Sequence, residues 1–525
     1  MVIATRRDLL SMIGATAGGA AMYQAMTALG HAAPSTYSGP VKLDGDPNGA
    51  TVLVLGAGVA GMTAALELRQ AGYKVKVLEF REKAGGRCWT LRGGDSYTEL
   101  GGATQKVGFS EGNYINPGPW RIPHDHYAVH DYCQRLGVQL EPFIEKNHNA
   151  YLHHTDAFGG EPQRYRHVAT DYRGHVSELL AKAVQGGKLD DAVSAEDKEL
   201  LLESLKRTGV LNNNYEYRGD LNVGRFRGFD RDPSAGIDGS PLPSAPLNPS
   251  DILQSNLWRH FSTTEQVEFQ MPMFQPVGGM DMIAQAFARE LADIITYNAR
   301  VVSLLQDENG VSVTYEDTAR GNAQRTETAD YCVSTIPFSI LGQIEHSFSR
   351  EMTQAIEDVY YIGSAKWGLE FNRRFWEEDD KIFGGISYTN LPIEMISYPS
   401  TGFFKKGPAV VLGGYSWRPE ETYEFNAMTP AERVKWAVDF GAKIHPQYKE
   451  EFLNGVSVSW HKVPWVLGCF GIWRDKDAHY QTALQMDNRI VLAGEHISYR
   501  GAWLEGGILS ALNAIETLHQ RVVQG

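Results

Sequence analysis

Cysteine is scarce in this chain of 525 residues: there are four, Cys88, Cys133, Cys332 and Cys469, with no Cys-x-x-Cys pair and no metal-type spacing. A disulfide framework and a zinc ribbon are thereby excluded, and the fold must rest on its core. Positive charge is short as well. The 49 Lys and Arg face 63 Asp and Glu, for a formal net charge of −14, which removes the attraction a general nucleic-acid binder needs. Beyond residue 33 no apolar run is long enough to span a bilayer, and no internal repeat is found. Glycine is the exception to this sparseness. It occupies 54 positions, about a tenth of the chain against a usual ~7%, so many sites need positive φ or close backbone approach. The length implies two to four domains of roughly 150 residues.

Residues 5–33 read Thr-Arg-Arg-Asp-Leu-Leu, an uncharged run from Leu9 to Gly30, then His31-Ala32-Ala33. A basic pair, a modestly apolar middle and small residues at the end describe an export signal of the twin-arginine type. The competing reading is a membrane anchor, which four glycines and several polar residues disfavour. With the signal removed, no membrane association is expected.

Thr51 to Leu55 is a short apolar run ending in Gly56-Ala57-Gly58, the pattern of a buried parallel strand. A helix carrying Val59, Met62 and Leu66 and closed by Gly72 should follow, then a second strand from Tyr73 to Phe80. Helices are expected around Ser177–Ala183 and Asp197–Lys206. The five prolines between Asp230 and Asp251 mark a cover or a loop. Val301–Leu305, the Asn309-Gly310 turn and Val311–Tyr315 predict a hairpin, with a return strand at Tyr331–Ile336. Residues 360–425 read as strands, Pro430–Ile444 as a helix, Ile490–Ala493 as a strand, and Gly506–Gln520 as a closing helix.

Gly56-x-Gly58-x-x-Gly61 thus sits between a strand and a helix, with Glu79 at the end of the next strand, 23 residues after Gly56. The first glycine makes the turn, the second admits a pyrophosphate to the helix N-terminus, and the third allows close packing. Glu79 would accept from ribose hydroxyls, and an acid there argues against a 2′-phosphate. No second such motif exists for a nicotinamide domain. Glu82-Lys-Ala-Gly-Gly86-Arg87 and Glu99-Leu-Gly-Gly102-Ala follow, and Leu492-Ala-Gly-Glu495-His, then Gly501-Ala-Trp503-Leu-Glu-Gly-Gly507, close the chain. Together they resemble the flavin-dependent monoamine oxidase family, most closely its L-amino acid oxidases, over most of the chain after residue 50.

That resemblance implies an α/β fold: a discontinuous Rossmann-like FAD-binding domain (48–105, 266–350, 456–525), a mixed-sheet substrate domain (106–155, 351–455) and a helical domain (156–265), after the signal at 1–33. It implies non-covalent FAD held by Gly56, Gly58, Gly61, Glu79, Gly86, Arg87, Gly102 and Glu495, with Arg121 and Trp503 also beside it. In Gly118-Pro-Trp-Arg121-Ile-Pro123 the arginine would pair an α-carboxylate, and in Ile396-Ser-Tyr398-Pro the tyrosine hydroxyl would donate to the same group. Lys366 matches a lysine placed near flavin N5 through a water. The blander readings are a structural ion pair for Arg121, a solvated lysine for Lys366, and a surface acid for Glu495. Trp503 and Trp460 would wall an aromatic pocket or belong to the core. The histidines at 124, 126, 130, 148, 153 and 154 are expected at surface or pocket positions without a metal.

The expected reaction is oxidation of an L-amino acid, with hydride passing from Cα to the flavin, the imino acid hydrolysing to a 2-oxo acid and ammonia, and dioxygen giving hydrogen peroxide. The alternatives are an amino acid monooxygenase, a monoamine or polyamine oxidase, and a prenyl-protein escort on the same fold. The abundant aromatics suggest large apolar or aromatic substrates. A homodimer, exported to the periplasm or secreted, is expected. Gly468-Cys469-Phe470 stands in register with a covalent flavin-attachment site of mitochondrial-type monoamine oxidases, but a buried free thiol is the expected state.

Overall fold

The computed structural model describes residues 35, 37–188 and 194–524. The proposed signal, residues 1–33, lies outside them. No described helix is long and apolar enough to cross a membrane.

Strands β1 (Thr51–Leu55), β2 (Lys74–Leu78), β3 (Ile295–Thr296), β4 (Tyr331–Ser334) and β5 (Ile490–Leu492) form a parallel sheet in the order β3-β2-β1-β4-β5. Two ends of the chain and a central piece therefore build one sheet. Its central strand β1 is buried on both faces from Val52 to Leu55, which is why β1 reads as an unbroken apolar run. Helix α1 (Val59–Gln70) follows β1. The spacing of Val59, Met62 and Leu66 suggests one apolar face, but Thr63, Ala64, Ala65, Glu67 and Leu68 are buried too. Met62, Ala65 and Leu66 share a core with Ile508, Ala511 and Ile515 of the C-terminal helix Leu504–Gln524. Buried aliphatic side chains of this kind contribute roughly 1.5–3 kcal/mol each.

A second, seven-stranded sheet is mixed. Its order is Gln163–Arg164, Tyr151–His153, Ile386–Thr389, Met395–Ser397, Ala409–Ser416, Ala365–Phe371, Phe452–Ser459. Only Tyr151–His153 with Ile386–Thr389 is parallel among its pairs. The helix Pro430–Gly441, opened by a Thr429/Glu432 capping box with proline in its first turn, contributes Ala437 to the core over this sheet. Trp367, Phe371, Trp376, Phe425 and Tyr448 fill that core.

The hairpin at Asn309-Gly310 joins Ala299–Gln306 to Val311–Asp317. A third strand, Ala323–Ala329, completes it before β4. That strand is polar and mostly exposed, so it carries no hydrophobic pattern by which the sequence would announce it. The middle of the chain is helical as the Leu-rich stretches suggest, with Tyr165–Gln185 and Ala195–Thr208, the latter capped by Ser194. The proline-rich stretch forms a small ribbon, Phe229–Arg231 with Leu242–Pro243, tied down where Arg227 meets Asp171 at 2.9 Å and bonds Ser244.

Candidate functional site

One cavity of about 620 Å³ runs between the parallel sheet and the seven-stranded sheet. Its first wall is the turn after β1. Gly56 has φ +100, and a Cβ at Gly61 would lie 2.0 Å from the Gly56 carbonyl oxygen, so helix and turn touch because Gly61 has no side chain. Gly61 acts behind the wall; Gly56, Gly58 and Gly86 line it. The N-terminus of α1 has no side-chain cap and no acid in its first turn. Its N–H groups and the helix dipole are left for an anion.

Glu79 closes the same wall. Its carboxylate accepts from the Ala57 N–H at 2.6 Å and the Arg81 N–H at 2.8 Å. Burial pushes this carboxyl up, while the two N–H groups and Arg81 oppose that. At the far strand end, Gly494 adopts φ +137 and aims Glu495 inward. Glu495 accepts from Arg87 at 2.5 Å and from the Ala502 N–H at 2.9 Å, and Arg87 also donates to the Cys469 carbonyl at 2.9 Å. Burial acts to raise the Glu495 carboxyl, but Arg87, His496 and the Ala502 N–H hold it below its ordinary value. A bare helix N-terminus, an acid beside the glycine turn and an ionised acid at a strand end are the donors and acceptors that a diphosphate, a ribose and a polyol require. The residues present fit FAD.

The strap 117–121 crosses from this half to the other. Trp460 donates its indole N–H to the Pro117 carbonyl at 2.9 Å, and Lys366 donates to the Gly118 carbonyl. A Cβ on Gly118 would lie 1.9 Å from the Arg87 carbonyl oxygen, so this position is closed to any side chain. Lys366 projects from Ala365–Phe371 with its Nζ 3.9 Å from the Trp120 ring centroid and 4.2 Å from that of Tyr415. Burial, aided by Arg121, drives its ammonium well below the usual lysine value.

Arg121 lines the cavity with its guanidinium 4.3 Å from the Trp120 ring and 4.8 Å from the Phe269 ring. Its Nη1 donates to both oxygens of Glu145, at 2.8 and 2.7 Å. Trp503 forms the adjoining wall, edge-on to His126 at 4.9 Å, and Trp460 lines the cavity too. Cys469 lines it as well, and burial pushes its thiol up, away from the thiolate that bond formation requires.

Two expected residues lie elsewhere. Tyr398 is fully buried in the core of the seven-stranded sheet, where its hydroxyl meets Ser387 at 2.7 Å and His445 Nε2 at 2.6 Å, with His445 Nδ1 3.0 Å from Asp380. It does not line the cavity; Tyr388, on the neighbouring strand, does. The Arg121–Tyr398 clamp is therefore not assembled. Gly102 sits with φ +85 in the exposed turn between Ser96–Thr98 and Thr104–Lys106, away from the cavity. Its glycine character serves that turn. Glu99, beside it, is buried against Arg433 at 2.6 Å. The histidines have structural partners: His126 against Trp503, His148 stacked on Tyr165, and His153 bonded to Thr389 at 2.7 Å.

Tyr388, Tyr415, Trp417 and Glu145 were not singled out by sequence reasoning. The three aromatics belong to strands or strand ends whose burial on both faces removes the alternation that would sort cavity from core. Glu145 carries no motif, because its partner is 24 residues away.

The fold and cavity define a flavin-dinucleotide enzyme with an aromatic substrate chamber. The family model for flavin-containing amine oxidoreductases matches residues 59–518. The chain belongs to that family and binds FAD. Among its relatives, an L-amino-acid oxidase of Siganus canaliculatus is 27% identical over 90% of this chain and 86% of its own. The L-amino acid oxidase Bs29 of Bothriechis schlegelii is 27% identical over 89% and 90%. Two solved structures share the fold. A putrescine oxidase with bound putrescine has TM-score 0.57 at 18% identity, covering 91% of this chain and 99% of its own. The cyclohexylamine oxidase of Brevibacterium oxydans IH-35A has TM-score 0.58 at 15% identity, covering 90% and 99%.

Proposed function

We propose that this protein is an FAD-dependent oxidase of L-α-amino acids, using dioxygen as acceptor and releasing a 2-oxo acid, ammonia and hydrogen peroxide. The observation that carries this reading is Arg121, a guanidinium on the wall of the chamber that also contains Lys366 and Trp503. Its planar fork suits a carboxylate and would fix the neighbouring Cα hydrogen in place. The L-amino-acid oxidases among its relatives support the same reading. FAD, when bound, supplies the two-electron acceptor. The chain contributes the rest. Lys366, whose ammonium burial drives well below the usual lysine value, stands on the chamber wall where it can orient water beside the substrate. Trp120, Tyr388, Tyr415 and Trp503 exclude bulk water and favour large apolar or aromatic side chains. The basic pair and weakly apolar run at residues 5–33 support export to the periplasm or exterior.

A second reading, oxidation of amines that lack a carboxylate, is favoured by one observation: Glu145 already neutralises Arg121. A peroxide assay across the L-amino acids, their D-isomers and the matching decarboxylated amines separates the two. Phenylalanine and tryptophan are expected to turn over, with phenethylamine and tryptamine slower by at least about tenfold, roughly the loss of one charge-assisted pair. Turnover of the amines alone would replace the first reading with the second, and an amide product with carbon dioxide would indicate a monooxygenase.

A further inference from the structure

The charge nearest the chamber arginine belongs to the chain itself. Glu145 follows the strand Leu140–Phe143, and its side chain is fully buried. Both of its oxygens accept from the same nitrogen of Arg121, and among the described residues Arg121 is its sole hydrogen-bond donor. The Arg121 Nε is buried and has no partner among the described residues. The other titratable groups that face the pair come from three further segments: Lys366 and Glu268 act on Arg121, and Tyr388 faces both members. The arginine is thus neutralised before any substrate arrives, and it still has a donor to give.

A substrate carboxylate would make two carboxylates around one guanidinium, between the Trp120 and Phe269 rings. Like charges sharing a desolvated site cannot both stay ionised without a large cost. We infer that Glu145 is the resident counter-ion of Arg121 and takes up one proton from solvent when a substrate carboxylate binds, an inference that rests on the amino-acid reading. The charges balance: ionised Glu145, Arg121 and an incoming carboxylate plus one proton become a neutral Glu145 carboxyl and a new pair of Arg121 with the substrate. Net charge in the chamber is unchanged. An amine without a carboxylate needs no proton and leaves the resident pair intact. Glu145 therefore selects between substrate classes by its protonation. Burial already pushes its carboxyl up against the opposing pull of Arg121.

The test uses holoenzyme and benzoate, a carboxylate with no amine to titrate and no Cα–N bond to oxidise. Binding is followed by the flavin absorbance change from neutral to alkaline pH, and by calorimetry in two buffers of different ionisation heat. The wild type should bind about tenfold more weakly per pH unit, the slope of a one-proton linkage, and take up one proton per benzoate. Glu145→Gln should bind with a flat pH profile, no proton uptake, and at least about tenfold more tightly at alkaline pH. Wild-type binding that is flat in pH with no proton uptake overturns the inference without recourse to the variant. Uptake that persists in Glu145→Gln assigns the proton elsewhere and overturns it too. If neither protein binds benzoate while both make peroxide from benzylamine, the amino-acid reading itself falls.

Discussion

Glu268 shows what a single buried carboxyl can do to the pH response of this protein. It lies behind Trp503, 3.9 Å from Arg500, whose closer partner is Asp125 at 2.6 Å. Burial pushes its carboxyl up to about 7, Asp125 adds to that, and Arg500 and Arg121 pull the other way. The folded protein therefore binds this proton more tightly than the unfolded chain does. Below the unfolded value the group is neutral in both states and costs nothing; as pH rises from there through about 7, stability is lost, and above that the loss is constant. The shift corresponds to about 3 kcal/mol. Glu268→Gln should be as stable as wild type at about pH 4 and more stable by up to about 3 kcal/mol at about pH 8. Equal stability of the two proteins at both pH values, measured by denaturant unfolding, would remove Glu268 as a titrating group. At this scale the sequence is legible where chemistry fixes a residue locally, as with Glu79 after the glycine turn. It is illegible where the partner is tertiary. Tyr388 lies within the strand Ile386–Thr389 and Tyr398, ten positions on, just past the end of the adjacent strand Met395–Ser397, and only the packing of the sheet turns Tyr388 to the chamber and Tyr398 to His445.

The element that matters most is the β1–α1 turn, because it meets two demands that two of its glycines separate. At Gly61 an added Cβ would strike the Gly56 carbonyl oxygen at 2.0 Å and the Thr335 hydroxyl at 3.0 Å, so the backbone of the turn must move. At Gly58 an added Cβ meets nothing within 4 Å, and the residue has φ −72 with extended ψ, which alanine tolerates. Open space at Gly58 is space within the cavity, at the uncapped start of α1. Gly58→Ala should leave the stability of the flavin-free protein unchanged and lower FAD retention, seen as a reduced visible-to-ultraviolet absorbance ratio. Gly61→Ala should lower both, costing about 1–3 kcal/mol as an overpacked contact. If Gly58→Ala retains FAD fully, the diphosphate does not sit at this turn. The sequence exposes this element because both demands are steric and local: glycine at three fixed offsets, bracketed by an apolar run and a helix.

At the scale of the molecule, the two ends of the chain and its centre meet in one sheet and one cavity. Gly56 and Gly58, Glu79 and Arg87, the strap 118–121, residues 335–337, and Glu495 and Trp503 contribute to its wall from five separate stretches of the chain. The sequence predicts this discontinuity from motifs at both ends, because each half of the dinucleotide site is incomplete by itself. It does not predict how the substrate sheet is ordered, because strands such as Ala365–Phe371 are buried along their whole length and carry no face. The same closure makes stability depend on FAD. A ligand that bridges separate chain segments binds the folded state alone, and at about a thousand times its Kd it adds about 4 kcal/mol. With an unfolding entropy of about 2.1 cal/mol/K per residue over the roughly 480 described residues, that is a rise in Tm of about 4 °C. Cys469 is half-buried on the cavity wall with its thiol pushed up by burial, so acid precipitation is expected to release all of the FAD into the supernatant. Flavin-free protein, titrated with FAD and followed by calorimetry, should then show one transition moving upward as the logarithm of FAD concentration. A flavin that stays with the acid pellet would mean attachment at Cys469, and a Tm indifferent to FAD would mean that the segments around the cavity are held together without it.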